Sequence, residues 1–227
     1  MTVAEHDIVA SRDPYRFGDG PEPVLKVGTL GWSLSDLKDP EVRRLWEQGR
    51  YEIVNGVLVA MPPAYFRGGR VVVRLQAVLN AYFDTQQTPN DAAVEVEIAV
   101  APKRVVRADC AVVAGQDLAR FQSLKFDPPD TDWSDHTLTL PPTIVIESVS
   151  KGHEDHDRVT KRAWYAEFGI PHYWVVDGVG RTLECLRLAG AAYVVDAVGH
   201  GDDVISPTAF PDLQIDLKRL WNSRSLK

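Results

Sequence analysis

Two carboxylates interrupt otherwise apolar runs, and this feature constrains the fold more than any other. Asp109 breaks Val105-Val-Arg-Ala-Asp-Cys-Ala-Val-Val113, and Glu147 breaks Thr143-Ile-Val-Ile-Glu-Ser-Val149. Runs this continuously apolar are expected of strands covered on both faces, the middle of a sheet. A charge there is costly unless it is ion-paired, hydrogen-bonded or bound to a cation. The residues alone leave two readings open. Each acid could pair with an arginine such as Arg107 or lie at a strand end facing solvent. Alternatively, acids on adjacent strands would supply the hard oxygen ligands that magnesium prefers, with the backbone carbonyl of Ser148 completing the protein's share.

The elements around these strands point to an α/β fold. Leu34, Leu37, Val42, Leu45 and Trp46 recur near helical spacing from Ser33 to Gln48, with Ser33 or Ser35 as N-cap and Asp39-Pro40 as an internal restart. Tyr51 to Ala60 reads as a β-hairpin around Asn55-Gly56. Val71, Leu75, Val78, Leu79 and Tyr82 share one face of a helix from Arg70 to Phe83, while Arg67, Arg70 and Arg74 follow another stripe. Val94 to Val100 alternates as a strand. Gly115 to Pro142 is a polar excursion with a weak strand at Thr137 to Leu140. A helix over Asp155 to Phe168 stops at Gly169 and Pro171. Strands follow at Tyr173 to Val176, Thr182 to Leu188 and Ala192 to Ala197, then a short helix around Leu217 to Trp221.

Composition sets the outer limits. With 227 residues, 44% of them hydrophobic, the chain can build one sizeable core, so residues 29 to 227 are expected to form a single domain. Residues 1 to 28 mix Pro, Gly and charge without periodicity and read as an arm, extended or poorly ordered, rather than as core. No apolar run reaches the length of a bilayer span and no secretory leader is visible, which points to a cytoplasmic protein with no membrane partner. Cys110 and Cys185 lack zinc spacing and read as buried, reduced thiols. The net charge of -7 argues against non-specific coating of nucleic acid, but it leaves room for a local basic patch beside an acidic cation site.

The helix after Glu147 adds a possible third partner. Asp157, Lys161 and Tyr165 are spaced by four and stack on one face of an α-helix, a face that can look back at the strand ends. An ordinary surface Asp157–Lys161 pair, worth about 0.3–0.5 kcal/mol, satisfies the same spacing. His153-Glu-Asp-His-Asp157 contains transition-metal ligand types, and it also reads as a polar loop in which Asp155 caps the helix. The arginines at 67, 70 and 74, with Lys103, Arg104 and Arg107, could meet phosphates or form a solvated face.

In combination, several blocks resemble the Uma2 (DUF820) family of restriction endonuclease-like proteins within the PD-(D/E)XK nuclease superfamily. They are Tyr51-Glu-Ile-Val-Asn-Gly-Val-Leu58 with Met61-Pro-Pro63, Arg107-Ala-Asp-Cys-Ala-Val-Val113, Ile144-Val-Ile-Glu-Ser-Val-Ser150, Asp157 to Lys161 with Tyr165, and Gly169-Ile-Pro-His-Tyr-Trp-Val-Val-Asp177. They follow the family's order across roughly residues 30 to 222.

The resemblance implies a restriction-endonuclease-like central mixed sheet flanked by helices, with Asp109 and Glu147 holding Mg2+ or Mn2+. The lysine usual two positions after the acid is Val149 here, so Lys161 on the next helix stands as its migrated replacement, with Lys151 as second candidate. Glu52 matches an acidic position of the family's first block. It could add a ligand, hold Lys161, or be a hairpin-edge carboxylate. Ala108, Gly68, Lys151 and His172 depart from the family pattern. The implied activity is metal-dependent hydrolysis of DNA phosphodiester bonds, in which Lys161 orients the attacking water and stabilises developing charge. The implied alternative is a catalytically silent nuclease-fold module that binds DNA or protein. A homodimer follows from the use of two sites for two strands.

Overall fold

The computed structural model describes residues 7–11, 22–61, 66–115, 137–149, 156–210 and 212–222. Its contacts form two compact units, Met1–Pro63 with Ile98–Arg107 and Ala64–Glu97 with Ala108–Lys227. Strands β5 (Asp91–Ala101) and β6 (Arg104–Val113) contribute residues to both.

In the smaller unit, β1 (Ile8–Ser11) pairs antiparallel with β2 (Glu22–Leu25). Among the described residues of the segment read as an arm, one belongs to the core. Leu25 is 1% exposed and packs in a cluster with Trp32, Leu37, Val42, Leu45 and Trp46. Four-residue strands, one of them carrying Pro23, are too short for alternation to show.

The expected break in the first helix is real. A 3-10 turn at Asp36–Lys38 precedes α1 (Pro40–Gln48), whose N-cap is Asp39 rather than a serine. Asp39 Oδ1 accepts from the amides of Glu41 and Val42 at 2.9 and 3.2 Å, and Pro40 fits the first turn, where its missing N–H costs nothing. Ser33 instead donates its amide and hydroxyl to Asp36 Oδ2 at 2.7 and 2.8 Å. Next come β3 (Tyr51–Val54) and β4 (Val57–Ala60), joined through Asn55 and Gly56 at φ 51° and 82°, the conformation that matches strand twist. Ile53 of β3 pairs with Val105 of β6.

In the larger unit the sheet order is β11 (Ala192–His200), β10 (Thr182–Ala189), β9 (His172–Asp177), β8 (Ile144–Ser148), β6, and β5 pairs with β6 and with β7 (Thr137–Leu138). Strands β8 and β9 run parallel, while β6–β8, β9–β10 and β10–β11 are antiparallel, so the sheet is mixed. A parallel pair needs a crossover. Its described part is a π-helical turn, His156–Lys161, continuing into α3 (Arg162–Phe168) and ending at Gly169 in the left-handed region, φ 87°.

The α2 helix (Phe66–Gln86) buries Val71, Val72, Leu75, Leu79 and Phe83 against Cys110, Val112, Ile144, Ile146 and Trp174. It starts a turn earlier than its periodicity suggests, because Gly68-Gly69 weakens the helical signal without preventing the turn. Strand pleat sends Glu147 to the face opposite Ile146, and there Tyr165 of α3 meets it. Helices therefore cover both faces of this sheet. Strands β12 (Val204–Ile205) and β13 (Ile215–Asp216) and the helix α4 (Leu217–Trp221) follow. Among the described residues no helix is long and apolar enough to cross a membrane, and both cysteines are buried and free.

Candidate metal centre

The acids at 109 and 147 meet within the larger unit. The β6–β8 ladder pairs Cys110 with Ile146, and one further step sets Asp109 opposite Glu147. The Asp109 amide lies 3.4 Å from Glu147 Oε2. Beyond the ladder, the amide of Ser148, last residue of β8, turns from the β6 backbone to the Asp109 side chain. Asp109 Oδ2 accepts from both the Ser148 amide and its hydroxyl, each at 2.7 Å. Asp109 is partly exposed, and its Oδ1 has no hydrogen-bond partner among the described residues.

Glu147 is 2% exposed, too deep for an uncompensated charge. Its Oε1 accepts from the Tyr165 hydroxyl at 2.7 Å and from Lys161 Nζ at 3.2 Å. Lys161 is itself 2% exposed and Tyr165 fully buried, so this carboxylate carries its countercharge inside the protein. Lys161 ends the wider π turn and Tyr165 sits four residues later in α3. The spacing by four holds for that pair. Single π turns inside helices recur at functional sites.

The other predicted residues are placed as follows. Glu52 belongs to the smaller unit, where it is fully buried and its Oε1 accepts from the Arg107 amide at 3.0 Å. Arg74 Nη1 donates to the Leu220 carbonyl at 2.8 Å, bracing the carboxyl end of α4, where a cation is favoured. Arg70 lies partly buried on α2. The side chains of Arg67 and Asp157 lie outside the described residues, as do Lys151 and His153 to Asp155.

Two features escaped the sequence reading. The Ser148 hydroxyl, beside its amide, donates to Asp109. A side chain at Gly68, in the first turn of α2, would lie 2.9 Å from that hydroxyl oxygen, so glycine leaves the Ser148–Asp109 contact undisturbed. Glu97 is a further buried carboxylate, 4% exposed, and accepts from the Thr137 hydroxyl. The positive φ of Glu95, 56°, marks the irregularity that upsets the simple alternation of β5. No periodic signal announces it.

The two acids offer carboxylate oxygens, the donor type that hard cations such as magnesium take. Among the described residues no group of three or more His, Cys, Asp or Glu side chains converges. Magnesium needs only one or two carboxylates, keeping water on its other positions. Asp109 Oδ1 offers the open oxygen of a carboxylate whose other oxygen is already clamped, and Glu147 stands opposite.

These features define a class. A putative nuclease belonging to DUF820 from Anabaena variabilis ATCC 29413 superposes with a TM-score of 0.61 at 16% identity, covering 84% of this chain and 97% of that one. The likeness shows the fold, a restriction-endonuclease-like mixed α/β sheet. The family model described as "Putative restriction endonuclease" matches residues 40–218, and the chain belongs to that family, Uma2. No curated protein matches the chain.

Proposed function

We propose that the larger unit carries a magnesium-dependent endonuclease site that hydrolyses DNA phosphodiester bonds, with manganese as a substitute. The observation that supports this reading most is the pairing of Asp109 and Glu147 on adjacent strands, the first presenting an open oxygen and the second bearing a lysine ammonium. Asp109 and Glu147 would hold the ion, joined by the Ser148 carbonyl. Magnesium, when bound, supplies Lewis-acid polarisation of the phosphoryl group and eases deprotonation of water. The chain's own part is to keep the two carboxylates in register and to bring one compact positive charge, Lys161, beside the developing negative charge.

A second reading, a silent module that binds DNA or protein, draws on the burial of the Lys161–Glu147 pair, since an ion pair can fill a core without reacting. Plasmid nicking separates the two. The wild type with magnesium or manganese is expected to nick supercoiled DNA and to stop when the cation is chelated. Cutting that persists unchanged in chelator overturns the metal dependence, and no cutting with either cation overturns the enzyme reading.

A further inference from the structure

We infer that Tyr165 is a positioning residue: its hydroxyl fixes Glu147 so that Lys161 can leave Glu147 Oε1 for the substrate while the buried carboxylate stays in place. The inference rests on the endonuclease reading above and assigns a role within that same site. Two donors share one oxygen, and they differ in character. The phenol approaches to 2.7 Å and the ammonium to 3.2 Å. An oxygen with two lone pairs accommodates both.

The two donors also differ in freedom. Lysine carries its charge on a flexible four-carbon stem, whereas a tyrosine ring has two rotatable bonds. The Tyr165 ring is braced at 5.5 Å between centroids by Tyr173, and Tyr173 in turn by Tyr193 at 5.6 Å. The Tyr193 hydroxyl is tied to the Ile170 carbonyl at 2.7 Å. The backbone is held as well, because the Tyr165 carbonyl accepts from the amides of Gly169 and Ile170 at 3.1 and 3.0 Å, closing α3 at that residue. A donor held by both its ring and its backbone thus shares Oε1 with one carried on a long, unbranched stem. If the ammonium turns toward a phosphate, the phenol would still hold the Glu147 carboxylate where it stands.

The test uses the full chain and reads magnesium affinity by calorimetry without DNA, beside kcat and KM for plasmid cleavage. Tyr165→Phe keeps the ring and its packing, and it is expected to weaken magnesium binding and lower kcat, each by about 10- to 100-fold, while KM for DNA holds. Lys161→Gln is expected to lower kcat by at least about 100-fold while magnesium affinity stays within about threefold, because Tyr165 still holds Glu147. Tyr51→Phe, which loses a buried tyrosine hydroxyl in the smaller unit, should change neither.

A folded Tyr165→Phe protein with wild-type magnesium affinity overturns the inference while leaving the endonuclease reading intact. So does a Lys161→Gln protein that no longer binds magnesium, which keeps the idea refutable should Tyr165→Phe fail to fold. A wild type that neither binds magnesium nor cuts overturns both.

Discussion

The two units hold the same small device in different settings. In the smaller one, Asp36 Oδ2 accepts the amide and hydroxyl of Ser33 at 2.7 and 2.8 Å. In the larger one, Asp109 Oδ2 accepts the amide and hydroxyl of Ser148, both at 2.7 Å. The clamps are nearly superimposable in chemistry, yet the first joins residues three apart in a turn and the second joins two strands. At Asp36 the clamp organises the 3-10 turn before α1. At Asp109 it sits beside Glu147, whose charge is answered by Lys161. A serine clamp on a carboxylate is therefore no mark of a site. What distinguishes Asp109 is a second acid across the ladder, Glu147, itself held by a lysine and a tyrosine.

The largest effect expected from that contrast comes from making the same substitution at both clamps. Asp109→Asn preserves the shape and the acceptor for Ser148 but removes the charge, and it should abolish magnesium binding and lower DNA cleavage by about a thousandfold or more, the rate equivalent of several kcal/mol of cation stabilisation. Asp36→Asn should leave both readouts unchanged and lower stability by about 1–2 kcal/mol, the size of a charge-assisted turn contact. Calorimetry, plasmid nicking and denaturant melts of the two variants check the pair. Comparable losses of metal binding in both would mean that the two clamps are not functionally distinct.

Some of this contrast was legible in the residues and some was not. A charge inside an apolar strand run is visible because it violates the cost of burial, so Asp109 and Glu147 stood out at once. Asn55-Gly56 was legible because few dipeptides tolerate φ above zero at both positions. Lys161 and Tyr165 were reachable through helical spacing, although the π turn before them was not. The Ser148 hydroxyl was invisible because serine in a strand has no distinctive cost. Arg74 looked like its neighbours in the basic stripe, and its partner, the Leu220 carbonyl, lies 146 residues away. The strand ending at Leu25 failed for a different reason, since alternation cannot register over four residues.

A smaller effect, also specific to the larger unit, concerns acid. Burial holds the His172 imidazole below its ordinary value, with Asp196 opposing the shift and Arg187 adding to it. Its Nδ1 is buried without a hydrogen-bond partner among the described residues, consistent with a neutral ring. The unfolded chain binds the proton more readily, at about 6.5, than the folded one does. Stability from the neutral ring is thus complete above that pH and is lost as pH falls from about 6.5 through the lower folded value. Melting temperature measured from pH 7.5 to 5 should decline below about 6.5, and His172→Gln should decline less. If the two curves run parallel, acid sensitivity comes from another group.

The smallest effect sharpens the comparison within a single strand, between the face that presents Asp109 and the face that buries its neighbour. Cys110 is fully buried among α2 and sheet residues. Burial first, then the charges of Asp109, Asp91 and Glu147, push its thiol up to about 12. At pH 8 it is neither ionised nor accessible, and a thiolate is what an alkylating reagent attacks. The folded protein is therefore expected to show no alkylation of Cys110 by iodoacetamide over hours at pH 8, followed by mass spectrometry, whereas in urea both cysteines react. Adding magnesium should not change this, because the pleat separates the cation side of β6 from the thiol side. Rapid labelling of the native thiol would mean that β6 opens readily, and the fixed register between Asp109 and Glu147 would no longer account for the site.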